Sequence, residues 1–369
     1  MSGYYALNEI YDLQMGKTPS RDNQKYWING NYDWISIADL TKYGEYTGES
    51  KEKITQTAIE ESGIRVIPSH TLIMSFKLSI GKVAITSRDC FSNEAIMAFI
   101  DKGVEKIIPE YAYYLFLAQD WGKGINRAVM GATLNKATLS KYRVHIHDEG
   151  TQREIICNLN KITNAINLRK RQIEEIDNLV KSQFIEMFGG CSLRNRQTDW
   201  VKIGTVAEVV GGSTPKTDKK EYWDGEYYWI TPAEISEDDF VVYKTQRTLT
   251  ELGVRSSSLR RLPTGTILLS SRAPIGKVAI AGVEMYCNQG FKNLVCGKEL
   301  NPIYGYALLK YNTEYLNSLG RGATFKEISK AIVENIYIPV PPIERQNDFA
   351  RFVEQTDKSK IPFETEVAA

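Results

Sequence analysis

The chain carries one pattern twice, about 195 residues apart. The segment from Leu72 to Ile85 returns as the segment from Ile267 to Ile280, ending in Ile80-Gly81-Lys82-Val83 and Ile275-Gly276-Lys277-Val278. Other pairs keep step: Thr18-Pro19 with Thr214-Pro215, Tyr26-Trp27 with Tyr222-Trp223, Trp34-Ile35 with Trp229-Ile230, Asn93 with Asn288, Pro109 with Pro302 and Gln152 with Gln346. The offset drifts from 196 at Thr18/Thr214 to 191 at Gly131/Gly322, so insertions have accumulated in loops while the frame survived. A period this long exceeds the roughly 20–50 residues of solenoid repeats. Each copy is long enough to bury its own core, which implies a duplicated domain that reads two similar things.

The 369 residues divide into four segments. Residues 1–148 hold the first copy, with apolar runs at 83–85 and 96–100 and a Tyr/Leu-rich helical signal at 110–120. Residues 149–190 differ: neither Gly nor Pro occurs between Thr151 and Phe188, and Ile155, Leu159, Ile162, Ile166, Ile173, Ile176 and Val180 follow a heptad seam. That spacing predicts a coiled-coil helix of about 55–60 Å at 1.5 Å per residue, stopped by Gly189-Gly190. Residues 191–342 hold the second copy, closing on Ile338-Pro339-Val340-Pro341-Pro342. Residues 343–369 open a shorter helix with Phe349, Phe352, Val353 and Thr356 on one side, ending near Lys360. The expected class is α+β: two mixed α/β domains in tandem, joined by a long helix, with a second, shorter helix at the C-terminus.

Composition is that of an ordinary globular protein, 42% hydrophobic and 25% charged. No run approaches the ~20 apolar residues of a membrane helix, and the first residues show no secretory signal pattern. Five scattered cysteines without a Cys-x-x-Cys pair imply a reduced, cytoplasmic chain without a zinc site. The net charge of +1 is low for a nucleic-acid binder. Clustering matters more than the total: Lys216, Lys219 and Lys220 crowd one loop, with Lys17, Arg21 and Lys25 in its counterpart.

Catalytic signatures are absent. Gly16-Lys17-Thr18 resembles the end of a phosphate-binding loop, but Tyr11 stands where its first Gly belongs and Ser213 replaces the Lys in the second copy. Asp218-Lys219-Lys220 lacks a partner acid, and His70, His145 and His147 make no metal set. No repeated position pairs a nucleophile with a base. The expectation is a chain without catalysis, cofactor or metal. Shared positions such as Trp34/Trp229 and Gly131/Gly322 read as scaffold, the glycines marking special backbone angles.

The loops between them carry cationic, hydroxyl and amide side chains, suited to phosphate and base-edge contacts. The candidates are Lys17, Thr18, Ser20, Arg21, Lys77, Ser79, Lys82, Asn135 and Lys136 in the first copy. Their counterparts are Thr214, Lys216, Lys219, Lys220, Arg272, Lys277 and Lys326. Two other readings stay open: a two-domain nuclease or methyltransferase, and a two-headed scaffold for protein or carbohydrate that does not bind DNA.

The ordered set resembles the specificity subunit of type I restriction-modification systems across essentially the whole chain. It comprises Gly16-Lys17-Thr18-Pro19-Ser20, Trp34-Ile35-Ser36, Ser75 to Ile85 and the Gln152-led helix, each with its second-copy partner. The resemblance implies two target-recognition domains, each reading half of a split double-stranded DNA site. It also implies paired helices that set the spacer and dock methyltransferase subunits, and a nuclease-translocase subunit that joins them. S-adenosylmethionine, Mg²⁺ and ATP would belong to those partners. The chain departs from the pattern in its short second helix, and the tail from Ile361 reads as a truncation. An uncovered seam at Ile173, Ile176 and Val180 would then favour pairing with a second copy through the central helix.

Overall fold

The computed structural model describes residues 2–77, 79–121, 134–190, 192–236, 239–272, 274–321 and 326–357. It divides into two compact units, Met1–Asn167 and Leu168–Ala369.

In the first unit, a four-stranded antiparallel sheet runs Tyr11–Met15, Ile96–Asp101, Leu72–Ser75, Val83–Ile85. A three-stranded sheet places Tyr32–Ile35 between Glu52–Ile54 and Phe91–Ser92. Gly3–Ala6 pairs with Arg143–Ile146. The second unit repeats this strand by strand: Ala207–Gly211, Lys292–Cys296, Ile267–Leu269 and Val278–Ala281 in the large sheet, Arg247–Leu249, Trp223–Ile230 and Tyr286–Cys287 in the small one, and Val201–Lys202 with Tyr337–Ile338. It adds one parallel strand, Val241–Val242, against Ile280 and Ala281. The first unit has a single parallel bridge there, Tyr46 to Ile85.

The apolar runs are continuous because both faces of each large sheet are buried. Side chains alternate across a strand, and the two sets fall into different cores. Leu72, Met74, Val83, Ile85, Met97 and Phe99 pack with the helix Pro109–Leu117, while Ile73, Ala84, Ile96 and Ala98 face Ile35 and Leu40. In the second unit Ile267, Leu269, Val278 and Ile280 face the helix Pro302–Lys310, and Leu268, Ala279 and Ala281 face Ile230 and Ile235.

The central helix spans Glu149–Phe188, and the division between units falls inside it. Asp148 caps it, accepting from the Thr151 amide (3.1 Å) and hydroxyl (2.7 Å). Gly189 ends it in the left-handed region at φ +75°, where its amide donates to the Ile185 carbonyl. Gln152 fixes its start. Fully buried, Gln152 accepts from the Ile108 amide (3.0 Å) and donates to the carbonyls of Lys106 (2.9 Å) and His147 (2.7 Å). Gln346 repeats the arrangement for the distal helix Ile343–Asp357, accepting from Asn301 (2.9 Å) and donating to Glu299 (2.9 Å) and Pro341 (2.7 Å).

The seam expected to stand open is partly covered. Ile173 and Ile176 are half-buried, and Val180 packs on the second unit's core. Ile155 packs on the first unit's core and Leu159 is half-buried, which leaves Ile162 and Ile166 as the exposed members, at 56% and 50%. The correction has a simple cause: each end of the helix is seated on the globular unit that holds it. The tail expected from Ile361 lies outside the described residues.

Candidate nucleic-acid interface

Two loops on each unit hold most of the candidate residues, and the scaffold holds both copies alike. The first follows the strand Tyr11–Met15. Its turn runs against the backbone of the Phe91–Ser92 strand, and a Cβ on Gly16 would lie 2.2 Å from the Asn93 carbonyl oxygen. On Gly212 it would lie 2.1 Å from that of Cys287. Only glycine fits such an approach.

The loop is then pinned by two indoles. Trp34 Nε1 donates to the Lys17 carbonyl (3.0 Å) and Trp27 Nε1 to that of Ser20 (3.0 Å). Trp229 Nε1 donates to Ser213 (3.1 Å) and Trp223 Nε1 to Lys216 (3.1 Å). Each indole pair is edge-to-face, with centroids 5.1 Å apart in the first unit and 5.0 Å in the second. The repeated Trp residues are therefore loop holders.

The repeated Thr completes the brace. Thr18 donates to the Glu94 carboxylate, and Thr214 to the Gln289 amide oxygen (2.5 Å). The Thr18 hydroxyl is the main cause that holds the Glu94 carboxyl below its ordinary value, with Lys77 and Arg21 adding smaller contributions. A carboxyl lowered on folding contributes stability that is fully present above its unfolded value, near 4.5. That contribution is lost as pH falls through the folded value. Acidification should thus loosen this brace in the first unit, while Gln289, which does not titrate, keeps it in the second. In a ¹³C titration of side-chain carboxyls, Thr18→Val should move the Glu94 midpoint upward and Thr214→Val should leave it in place. An unmoved midpoint in Thr18→Val would refute the assignment.

Both indole pairs also carry a guanidinium, delivered differently. Arg21 lies 4.0 Å over Trp27 and 4.7 Å over Trp34, and forms a two-pronged ion pair with Glu52. In the second unit Thr217 occupies the Arg21 position, and the stacked cation is Arg247, 3.4 Å over Trp223 and 5.9 Å over Trp229. Glu52 and Arg247 are equivalent by strand register, opposite Trp34 and Trp229. Arg247 went unnoticed in the sequence because it is repeated as an acid, not as a cation.

The second loop joins the strands Leu72–Ser75 and Val83–Ile85. Ser75, fully buried, accepts from the Lys82 amide (3.1 Å) and donates to the Ser79 carbonyl. Ser270 accepts from Lys277 (2.8 Å) and donates to Pro274 (2.7 Å). Gly81 and Gly276 close the turns at φ +84° and +91°, the special angles the repeat implies. Ser79 and Lys82 are exposed and Lys77 is half-buried. Lys277 differs from Lys82, since its ammonium is held by the carbonyls of Pro232 (3.3 Å) and Ile235 (2.5 Å). Arg272 is half-buried, and its backbone bridges to Glu327.

The remaining candidates divide the same way. Lys17 donates to the Ser62 carbonyl, and Asn135 caps the short helix Lys136–Ser140 through the Thr138 amide (2.8 Å). Ser20, Lys136, Lys216, Lys220 and Lys326 are exposed, and Lys219 faces Glu221 at 3.9 Å. The Gly131-Ala132-Thr133 and Gly322-Ala323-Thr324 repeats lie outside the described residues. Among the described residues no cluster of His, Cys, Asp and Glu could hold a metal ion, and no helix is long and apolar enough to cross a membrane. Burial pushes the Cys90, Cys287 and Cys296 thiols up to about 12, where they are poor nucleophiles.

Residues 3–178 and 196–368 each match the family model of the type I restriction modification DNA specificity domain. The chain belongs to this family. Over 184 residues it is 39% identical to the MjaIX type I restriction enzyme specificity subunit of Methanocaldococcus jannaschii, covering 48% of this chain but only 43% of that relative. Over 344 residues it is 25% identical to the same organism's putative MjaX specificity subunit, covering 87% and 78% of the two chains. A crystal structure of a type I S subunit from M. genitalium shares the fold, with a TM-score of 0.57 at 12% identity over 98% of this chain and 90% of that one. A chain from a structure of type I complex assembly gives 0.58 at 15% identity, over 97% and 90%. The first match covers most of the first unit and extends past Asn167, the second lies within the second unit, and the features the two share are the pinned loop, the serine-closed turn and the glutamine-clamped helix.

Proposed function

We propose that the chain is the sequence-reading subunit of a type I restriction-modification assembly. Each unit reads one half of a bipartite duplex site, and the helices set the spacer and dock methyltransferase subunits. A nuclease-translocase subunit joins that assembly, and catalysis resides in the partners. The observation that carries the reading is the duplicated loop scaffold, which holds different side chains in one geometry. Trp27/Trp34 and Trp223/Trp229 pin equivalent carbonyls, while the side chains between them differ. A fixed frame with variable loops is what two different half-sites require. Lys82, Lys136, Lys216, Lys220 and Lys326 are exposed and so free to meet phosphates. Lys17 and Lys277 are engaged by carbonyls and serve as loop braces.

The test is modular exchange in a host that supplies the methyltransferase subunit, read by sequencing methylated positions. The wild-type chain should give a split motif. Replacing residues 1–148 with the first head of another family member should change one half and keep the other half and the spacer. Inserting four residues after Arg171, about 6 Å of helix, should lengthen the spacer alone. Loss of any motif in the wild type, or a change in both halves on exchange, would return the chain to the two-headed scaffold reading.

A further inference from the structure

We propose that Arg247 is a DNA-phosphate contact of the second unit, and that Glu52 prevents Arg21 from being one in the first. This deepens the sequence-reading proposal and rests on it. Both units place a guanidinium on the indole pair that pins the loop, so the stacked cation belongs to the scaffold. What differs is its neutralisation. In the first unit both oxygens of Glu52 engage Arg21, and the brace carries no net charge. In the second, Thr217 stands in place of Arg21 and Arg247 in place of Glu52. Among the described residues Arg247 takes part in no ion pair and its guanidinium in no hydrogen bond.

A guanidinium stacked on an indole face keeps its N–H groups in its own plane, parallel to the ring and directed outward. Such an edge matches two phosphate oxygens at once. The stacking also fixes the fork beforehand, so little side-chain freedom is lost on contact. Its neighbourhood is the candidate loop itself: Arg247 covers Trp223, and Trp223 holds the carbonyl of exposed Lys216. The two units thus share one scaffold but present unequal charge, one neutral brace and one bare cation.

The salt dependence of binding reads this difference. The 369-residue chain and a random-sequence duplex of about 30 base pairs would be titrated by fluorescence anisotropy across a range of salt. One phosphate contact corresponds to a slope of about 0.9 in log K against log salt. Arg247→Gln should flatten the slope by about that amount and weaken binding at 0.1 M salt several-fold. The pair Thr217→Arg, Arg247→Glu, which moves the first unit's neutral brace into the second, should do the same. The reverse pair, Arg21→Thr with Glu52→Arg, should steepen the slope by about one contact. Arg247→Lys should keep the slope, whereas a purely structural cap would make it behave like Arg247→Gln. Near-UV circular dichroism of the indoles reports whether each variant keeps its fold. A wild type that binds while the folded Arg247→Gln and double variants keep its slope would overturn the Arg247 assignment alone. A wild type that binds no duplex at low salt would overturn the sequence-reading proposal with it.

Discussion

Phe349→Ala should destabilise the second unit by about 3–5 kcal/mol, in the range of a fully buried aromatic lost to a cavity. Phe349 is completely buried on the distal helix and meets Phe184 at 5.4 Å and Phe188 at 5.7 Å, both edge-to-face. Phe184 stacks on Tyr304 at 5.7 Å and meets Tyr311 at 5.3 Å. Phe184, at the end of the central helix, thus links the helix Pro302–Lys310 to Phe349 of the distal helix. Such aromatic pairs contribute about 0.5–1.5 kcal/mol each beyond their area, and removing the Phe349 ring breaks its pairs with Phe184 and Phe188. Phe349→Leu refills most of the space and should cost less than half as much. Denaturant unfolding of both variants would decide. A loss below about 1 kcal/mol for Phe349→Ala would mean that the cluster collapses freely and that the distal helix is not held by it.

The second large effect belongs to the glutamine clamps. Gln346→Leu keeps the volume but leaves one amide and two carbonyls without their partner, at the Asn301 N–H and the carbonyls of Glu299 and Pro341. An orphaned buried group costs about 1–3 kcal/mol; these three are part-buried, so a total of about 3 kcal/mol is expected. Gln152→Leu should lose a similar amount from the first unit. Gln346→Glu is the sharper variant. A carboxylate still accepts from Asn301 but faces two carbonyl oxygens with no proton to offer, so part of the loss should return at acid pH, where the protonated acid can donate. Thermal unfolding at neutral and acid pH would show it. Gln346→Glu indistinguishable from wild type at neutral pH would mean that the two donated bonds contribute nothing.

Much of the architecture was legible in the residues because it depends on local spacing. Gly189 stops the central helix where the repeat of Gly-Gly suggests, and Pro109 and Pro302 begin equivalent helices. The apolar runs at 83–85 and 278–281 are strands because every residue in them is buried on one sheet face or the other. The duplication was visible for the same reason. Equivalent folds need equivalent buried residues, such as Ser75 and Ser270 or Gln152 and Gln346, at nearly constant offset.

The state of the loop and strand cations could not be read this way. Lys82 and Lys277 are the same residue in the same motif, yet only Lys277 meets carbonyls, those of Pro232 and Ile235, more than forty residues earlier in the chain. Arg21 finds Glu52 from a loop, and Arg247 finds Trp223 across a strand pair, and no local pattern reveals either meeting. The seam on the central helix behaves likewise: heptad spacing marks Ile162 and Val180 alike, but only Val180 reaches a core. Sequence alone therefore determined the duplicated scaffold, since glycine turns, buried polar clamps and strand periodicity act within a few residues. The tertiary structure decided which charges and apolar side chains remain free. That depends on which carbonyl, carboxylate or ring the fold brings beside each one.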